Sequence, residues 1–114
     1  MSYEDLDVWT RAVQLAVEIY RATKELRDFG FRDQLTRSSL SVASNIAEGY
    51  ERGSDNEVAR FLTIAKGSAG EMRTQIIIGQ QIGYISQGDA ARWADESLQL
   101  GRMLGALIRK HRSP

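Results

Sequence analysis

The only proline of this 114-residue chain is its last residue, Pro114. Proline therefore interrupts backbone hydrogen bonding nowhere along the sequence, and long helices can run between turns. Sustained alternation of apolar and polar residues, which is typical of strands, is missing from the sequence. These features together predict an all-α fold.

The first turn is predicted at Gly30. A left-handed glycine at this position would end a helix in a Schellman motif, and that motif would bring Leu26 into contact with Phe31. Both side chains are apolar, as the contact requires. We therefore expect one helix to end at about residue 28 and the next to begin at about residue 33.

Two further turns are predicted where a glycine is followed by a capping residue. Gly53 precedes Ser54 and Glu57, which have the spacing of a capping box. Gly83 can end the third helix, and Ser86 can cap the fourth. The turns divide the chain into four predicted helices, at about residues 6–28, 33–51, 55–82 and 87–111.

The length and the short loops favour one small bundle. A chain of 114 residues suits a single domain, and its 42 % hydrophobic and 26 % charged residues are typical of a globular protein. Short loops between long helices force antiparallel neighbours. We therefore expect residues 1–114 to form one antiparallel, up-down-up-down four-helix bundle.

The third predicted helix carries more apolar surface than a lone subunit can cover. One apolar stripe runs from Val58 to Ile76, and a second stripe lies about 100° away. A helix at the edge of a four-helix monomer needs only one apolar face, and the first predicted helix also has a wider apolar arc than that. We expect the second stripe to be an oligomer interface, with scattered exposed isoleucines as the alternative. Its residues are Ile64, Ile78 and Ile82.

Glycines recur inside the predicted helices, although each costs about 0.5–1 kcal/mol there relative to alanine. Gly67 and Gly101 lie among other small residues, which form surfaces that a neighbouring side chain can approach closely. We therefore expect larger residues at Gly67 or Gly101 to disrupt packing or assembly.

Residues that carry chemistry are few. The chain has no cysteine, which excludes thiolate nucleophiles, disulfides and cysteine-based metal sites. The single histidine, His111, is expected to be solvated near the end of the last helix, where its charge suits the helix dipole. One histidine cannot supply the two Glu-x-x-His pairs of a di-iron bundle. We predict that the protein is not an enzyme and takes no cofactor, metal or small-molecule substrate.

The sequence also bears on location. Residues 1–5 contain neither the basic nor the apolar region of an export signal. No stretch approaches the roughly 18 uncharged apolar residues that a membrane span requires. We therefore expect a cytoplasmic protein with no membrane partner.

The balance of 15 basic and 15 acidic side chains argues against a surface that binds nucleic acid throughout. A local basic cluster near the C-terminus can still contact phosphates, with solvated helix faces as the alternative. The cluster consists of Arg102, Arg109, Lys110 and Arg112.

Two carboxylates stand close to apolar positions. Glu48 lies on the polar arc of the second predicted helix, and Glu71 lies among the isoleucines of the second stripe. A charge that becomes buried needs a partner, so either residue can belong to a polar network across a helix or subunit junction. The alternative for each is a solvated position at the rim.

Two segments, residues 37–49 and 61–71, carry a family resemblance. They contain Asn-Ile-Ala-Glu-Gly and Ala-x-Gly-Ser-x-x-Glu in that order, and the similarity extends over about residues 3–86. The chain resembles the bacterial 23S rRNA intervening-sequence proteins, also called S23 ribosomal protein-like. The resemblance implies an antiparallel four-helix bundle that assembles into a ring, with a homopentamer as the expected form.

The resemblance also bears on partners and on site residues. Relatives of the family include accessory proteins of diversity-generating retroelements, which are strongly basic and bind nucleic acid, whereas this chain has balanced charges. A nucleic-acid-binding accessory protein, acting on RNA or DNA, is therefore the alternative to a self-associating interaction scaffold. The resemblance assigns four polar positions to holding helices or subunits in register: Asn45, Glu48, Ser68 and Glu71.

Overall fold

A computed structural model describes residues 2–114 of the chain. Within that range the chain is helical and contains no strand, which confirms the predicted all-α fold. A short 3-10 helix at Tyr3–Asp5 precedes four α-helices. These are α1 (Asp7–Thr23), α2 (Phe29–Arg52), α3 (Asp55–Gln81) and α4 (Gln87–Arg112).

The helices form an elongated antiparallel bundle measuring 47 × 21 × 19 Å. The start of α2 lies beside the end of α3, since Ser38 bonds to Gln75, and the end of α2 lies beside the start of α3. The α3 helix packs along both α2 and α4, whereas α1 makes fewer contacts with its neighbours. The predicted up-down-up-down bundle is confirmed.

The core follows the helical periodicity of the sequence. Trp93, Leu100 and Leu104 on α4 are buried on one face, as their spacing predicts. They meet Leu62 and Ile76, which lie on the inward stripe of α3. The core thus runs the length of the bundle.

The first predicted turn is wrong in its details. The α1 helix ends at Thr23, and Gly30 lies in the first turn of α2, without the positive φ that a Schellman glycine requires. Asp28 caps α2, because its carboxylate accepts a hydrogen bond of 3.1 Å from the Phe31 amide. The helix therefore begins at Phe29 and not at residue 33. An N-cap takes precedence here over the predicted glycine C-cap.

The other two turns agree with prediction. Gly53 and Gly83 have φ values of 86° and 85°, which suit glycine. The hydroxyl of Ser54 accepts from the Glu57 amide at 3.2 Å, and Ser86 caps α4 in the same way. The capping box is only half formed, since the Glu57 carboxylate instead accepts a hydrogen bond from the side chain of a nearby arginine.

Only some of the helical glycines allow a close approach within the subunit. A Cβ added at Gly49 would lie 3.0 Å from Cβ of Phe61, and one added at Gly79 would lie 2.7 Å from two side chains. Apart from the adjacent residues and the backbone of its own helix, nothing lies within 4 Å of the same position at Gly67 or Gly101. An alanine at either site would therefore meet no neighbouring helix within the subunit, and the predicted disruption of packing by larger residues is not supported there. Their effect on assembly stays a prediction.

Candidate interaction surfaces

The outer face of α3 carries the apolar residues that the sequence singles out. Ile64, Ile78 and Ile82 are between 42 % and 53 % exposed in the single subunit. Gly67 and Glu71 lie between Ile64 and Ile78 on the same face, and nothing covers the Gly67 position. We call these five residues the isoleucine stripe. The stripe is a row of aliphatic side chains with a notch at its glycine.

A second apolar surface lies between α1 and α2. It is a hollow of about 310 Å³, in which Val17, Tyr20 and Leu40 are between 42 % and 51 % exposed. Sequence reasoning noted the wide apolar arc of α1 but missed the contribution of α2, because the alignment of two helices is not visible in either one. We call this surface the α1–α2 groove. It is lined by Val13, Ala16, Val17, Tyr20, Arg21, Leu40 and Ala43.

Serine hydroxyls join α2 to α3. The hydroxyls of Ser41 and Ser68 lie 2.9 Å apart, and the Asn45 side-chain amide donates to the Ser41 hydroxyl at 2.8 Å. Ser38, about one turn from Ser41 on α2, donates to Gln75 of α3 at 2.6 Å. The structure thus brings Asn45 and Ser68 together through Ser41, a residue that the family resemblance does not single out.

The two carboxylates proposed for the same network lie outside it. Glu48 is exposed and accepts a hydrogen bond of 3.0 Å from Arg52, one turn away on α2. Glu71 is exposed and forms no ion pair with any residue in the range 2–114. In the single subunit both therefore lie at the rim, and Glu71 stands as an unpaired charge within the isoleucine stripe.

The basic residues near the C-terminus do not form a single patch. Arg102 and Arg109 are seven residues apart and therefore share one face of α4, whereas Lys110 points about 100° away from Arg109. A hollow of about 270 Å³ between α3 and α4 is lined by Arg102 together with Lys66 and Arg73. No acidic residue lines this hollow.

We call Lys66, Arg73, Arg102 and Arg109 the basic seam. The side chains of Lys66 and Arg109 both lie 3.6 Å from where a Cβ of Gly105 would be. Within residues 2–114 none of the four cations forms an ion pair, and the buried Nε of Arg73 has no hydrogen-bond partner. Arg112 is exposed at the end of α4.

The side chain of His111 lies within hydrogen-bond distance of residues of two other helices. The expectation that it is solvated at the end of α4 is therefore wrong. Its Nε2 lies 2.9 Å from the hydroxyl of Tyr50, and its Nδ1 lies 2.8 Å from a carboxylate oxygen of Asp55. Burial raises the pKa of Tyr50. The end of α4 is thereby fastened to the end of α2 and the start of α3. No sequence signal indicated this contact, because its partners lie 61 and 56 residues away.

The polar hollow between α1 and α4 is occupied by paired charges. Arg11 donates to Glu96 at 2.9 Å, and this hydrogen bond raises the pKa of the Arg11 guanidinium. Arg92 pairs with Glu18 in the same hollow. Since these groups satisfy one another, they orient α1 on α4. Among residues 2–114 no group of three or more candidate metal ligands occurs, and no helix there is long and apolar enough to span a membrane.

The fold and these surfaces define a class of protein: a small antiparallel four-helix bundle with apolar surface left uncovered on two sides. The family model described as 23S rRNA-intervening sequence protein matches residues 4–106. The chain therefore belongs to the 23S rRNA-intervening sequence protein family, which confirms the resemblance noted in its sequence.

One similar solved structure is the 1.70 Å crystal structure of a protein with unknown function from the S23 ribosomal protein family of Bacteroides thetaiotaomicron VPI-5482. It is 24 % identical, with a TM-score of 0.83, and the match covers 90 % of this chain and 98 % of that one. The similarity supports the same bundle fold. No curated protein matches the chain.

Proposed function

We propose that this protein is a non-enzymatic, ring-forming interaction scaffold, a homopentamer of the cytoplasm whose first partner is a further copy of itself. One observation carries the proposal: six large apolar side chains, each between 42 % and 53 % exposed, are gathered on two surfaces. Single exposed apolar residues are ordinary, but contiguous groups of them mark interaction sites. The count of five subunits comes from the family resemblance.

Burial of these two apolar surfaces contributes enough free energy to stabilise a contact between subunits. Covering six half-exposed aliphatic or aromatic side chains contributes about 1 kcal/mol each, or about 6 kcal/mol per junction. Association and side-chain ordering offset part of this gain. A closed ring adds one junction per subunit, so every copy covers both of its apolar surfaces.

Size-exclusion chromatography with light scattering tests the assembly. We expect a particle of five times the 12.8 kDa mass of the chain. The variant Ile78→Asp should shift the mass towards that of the monomer, because a carboxylate would have to be buried in the junction. A monomer at every concentration of the unmodified chain would refute the proposal.

The neighbouring residue supplies a matched control. Ile77 has the same side chain and is 36 % exposed, but it faces the α4 side of α3. We expect Ile77→Asp to keep the assembled mass. Circular dichroism of both variants checks that the bundle itself remains folded.

A second candidate function is the binding of RNA or DNA, with Arg102 and Arg109 of the basic seam as phosphate contacts. Lys110 and Arg112, which the sequence also suggested, lie outside the seam near the end of α4 and supply further contacts. The basic seam favours it, since three of its cations line a hollow with no acidic residue, and such a cluster of like charges attracts a polyanion. Binding should weaken steeply as salt rises, because phosphate contacts release counterions.

Fluorescence anisotropy with labelled RNA and DNA at low and rising salt tests this second candidate. Replacing Arg102 and Arg109 together by Gln should reduce affinity and flatten the salt dependence. Arg60→Gln is the control, because Arg60 is already paired with Glu57. No binding at low salt would rule the candidate out.

A further inference from the structure

We infer that the isoleucine stripe of one copy docks into the α1–α2 groove of the next copy, with Glu71 of the stripe beside Arg21 at the edge of the groove. This inference rests on the proposed self-association and adds which two surfaces meet. The two surfaces lie on different helices of the same subunit, so each copy offers one of each.

The shapes of the two surfaces are complementary. The groove is a hollow of about 310 Å³ whose exposed residues are apolar except at its edge. The stripe is a helix face with aliphatic side chains that can enter such a hollow. Apart from its own helix, nothing lies within 4 Å of where a Cβ of Gly67 would be, so the notch leaves room for a projecting side chain of the groove, such as Tyr20 or Leu40.

The charges of the two surfaces are also complementary. Glu71 is the one charged residue of the isoleucine stripe, and Arg21 is the one charged residue that lines the groove. Both are exposed, and neither forms an ion pair within residues 2–114. When the stripe docks into the groove, Glu71 and Arg21 can form the ion pair that neither makes in the single subunit.

The same features disfavour a symmetric pairing of like surfaces. Two stripes packed on each other would place two Glu71 carboxylates in one apolar junction, where like charges repel and lose their hydration. Two grooves packed on each other would face hollow against hollow and bring two Arg21 side chains together. A contact between unlike surfaces is heterologous, and a heterologous contact repeats until it closes a ring or extends as a filament.

Cross-linking tests which surfaces meet, because the chain contains no cysteine of its own. The single variants Arg21→Cys and Glu71→Cys, at the two positions that the docking brings together, should give little disulfide-linked dimer when each is oxidised alone. Co-produced, the two should give a strong dimer band on a non-reducing gel. Gly70→Cys in place of Glu71→Cys is the control and should reduce that band several-fold, because Gly70 lines the hollow between α3 and α4 instead.

Charge reversal provides an independent measurement that needs no cysteine. Glu71→Arg and Arg21→Glu should each lower the assembled mass in light scattering, since each places like charges in the junction. The two changes in one chain should restore the mass, because the pair is then re-formed with its signs exchanged.

The outcomes separate this inference from the proposal on which it rests. Cross-links within Arg21→Cys alone or Glu71→Cys alone, with an intact assembly, would overturn the heterologous docking and leave self-association standing. Failure of the double charge reversal to restore the mass would also overturn it. A monomeric unmodified chain would instead refute the proposed self-association.

Discussion

The two seams on either side of α2 are built in opposite ways. Towards α3 the seam is closed: Gly49 lets Phe61 approach its backbone, and the hydroxyls of Ser41 and Ser68 meet across the helices. Towards α1 the seam is open, and side chains such as Leu40 and Tyr20 remain about half exposed. Small residues close a seam within the subunit, whereas large apolar residues left at an open seam provide surface for another copy.

The largest expected contrast lies between two leucines of α2. Leu35 is fully buried, and Leu35→Ala should lower the free energy of unfolding by about 2–5 kcal/mol through the cavity that it leaves. Leu40→Ala removes the same atoms from a side chain that is 51 % exposed and should cost the dissociated subunit less than about 1 kcal/mol. Urea unfolding across a protein dilution series measures both. Equal losses in the dissociated subunit would contradict the distinction between the seams.

Alanine substitutions at two glycines should change the free energy of unfolding in opposite directions. Gly49→Ala should destabilise the subunit by about 1 kcal/mol, because the new Cβ meets Phe61 and the Val58 backbone at 3.0–3.3 Å. Gly67→Ala should stabilise the subunit by about 0.5–1 kcal/mol, because alanine favours the helix and the site is open. Thermal unfolding at low protein concentration measures the pair. Destabilisation by Gly67→Ala under those conditions would contradict the structure.

The serine contact of the closed seam should give a smaller effect. A double-mutant cycle of Ser41→Ala and Ser68→Ala should show a coupling of about 0.5–1.5 kcal/mol, the value of one neutral hydrogen bond. Ser44→Ala is a control on the same helix, since Ser44 is exposed. Additive effects of the two alanines would show that the contact contributes nothing to stability.

The smallest effect on stability is expected from the charge of Asp28, in the segment between α1 and α2. Hydrogen bonds from the Phe31 amide and the Tyr84 hydroxyl lower the pKa of the Asp28 carboxyl. Its contribution to stability is therefore present above the pKa of the unfolded chain and is lost as the pH falls through the folded value. Asp28→Asn keeps an N-cap and should flatten the acid side of a Tm–pH profile slightly. A profile unchanged by the substitution would contradict this role of the charge.

Local signals in the sequence predicted much of the fold. Gly53 and Gly83 end helices as expected, because positive φ and a serine cap are properties of a few neighbouring residues. The prediction of the first turn was wrong because Asp28 can cap the start of one helix and Gly30, two residues later, can end another. The sequence does not show which of the two signals prevails. Even there the error moved helix ends by about five residues and left the topology intact.

The candidate surfaces were predictable to the extent that they depend on one helix. Periodicity alone placed Ile64, Ile78 and Ile82 on an outward face. The α1–α2 groove and the pairing of Ser41 with Ser68 depend on how one helix lies along another, which periodicity does not determine. Within the single subunit Glu48 and Glu71 lie outside the serine network, and their expected role between subunits stays a prediction.

The contact of His111 with Tyr50 and Asp55 has a consequence for how the molecule opens. It joins three of the four helices at one end, whereas α1 takes no part in it and, although its inner face is buried in the core, makes fewer contacts with its neighbours than α3 does. Local unfolding should therefore begin with the detachment of α1 from an otherwise intact three-helix unit. Amide hydrogen exchange would register this as low protection in α1 beside high protection in α3, and ring closure would slow exchange in α1 most.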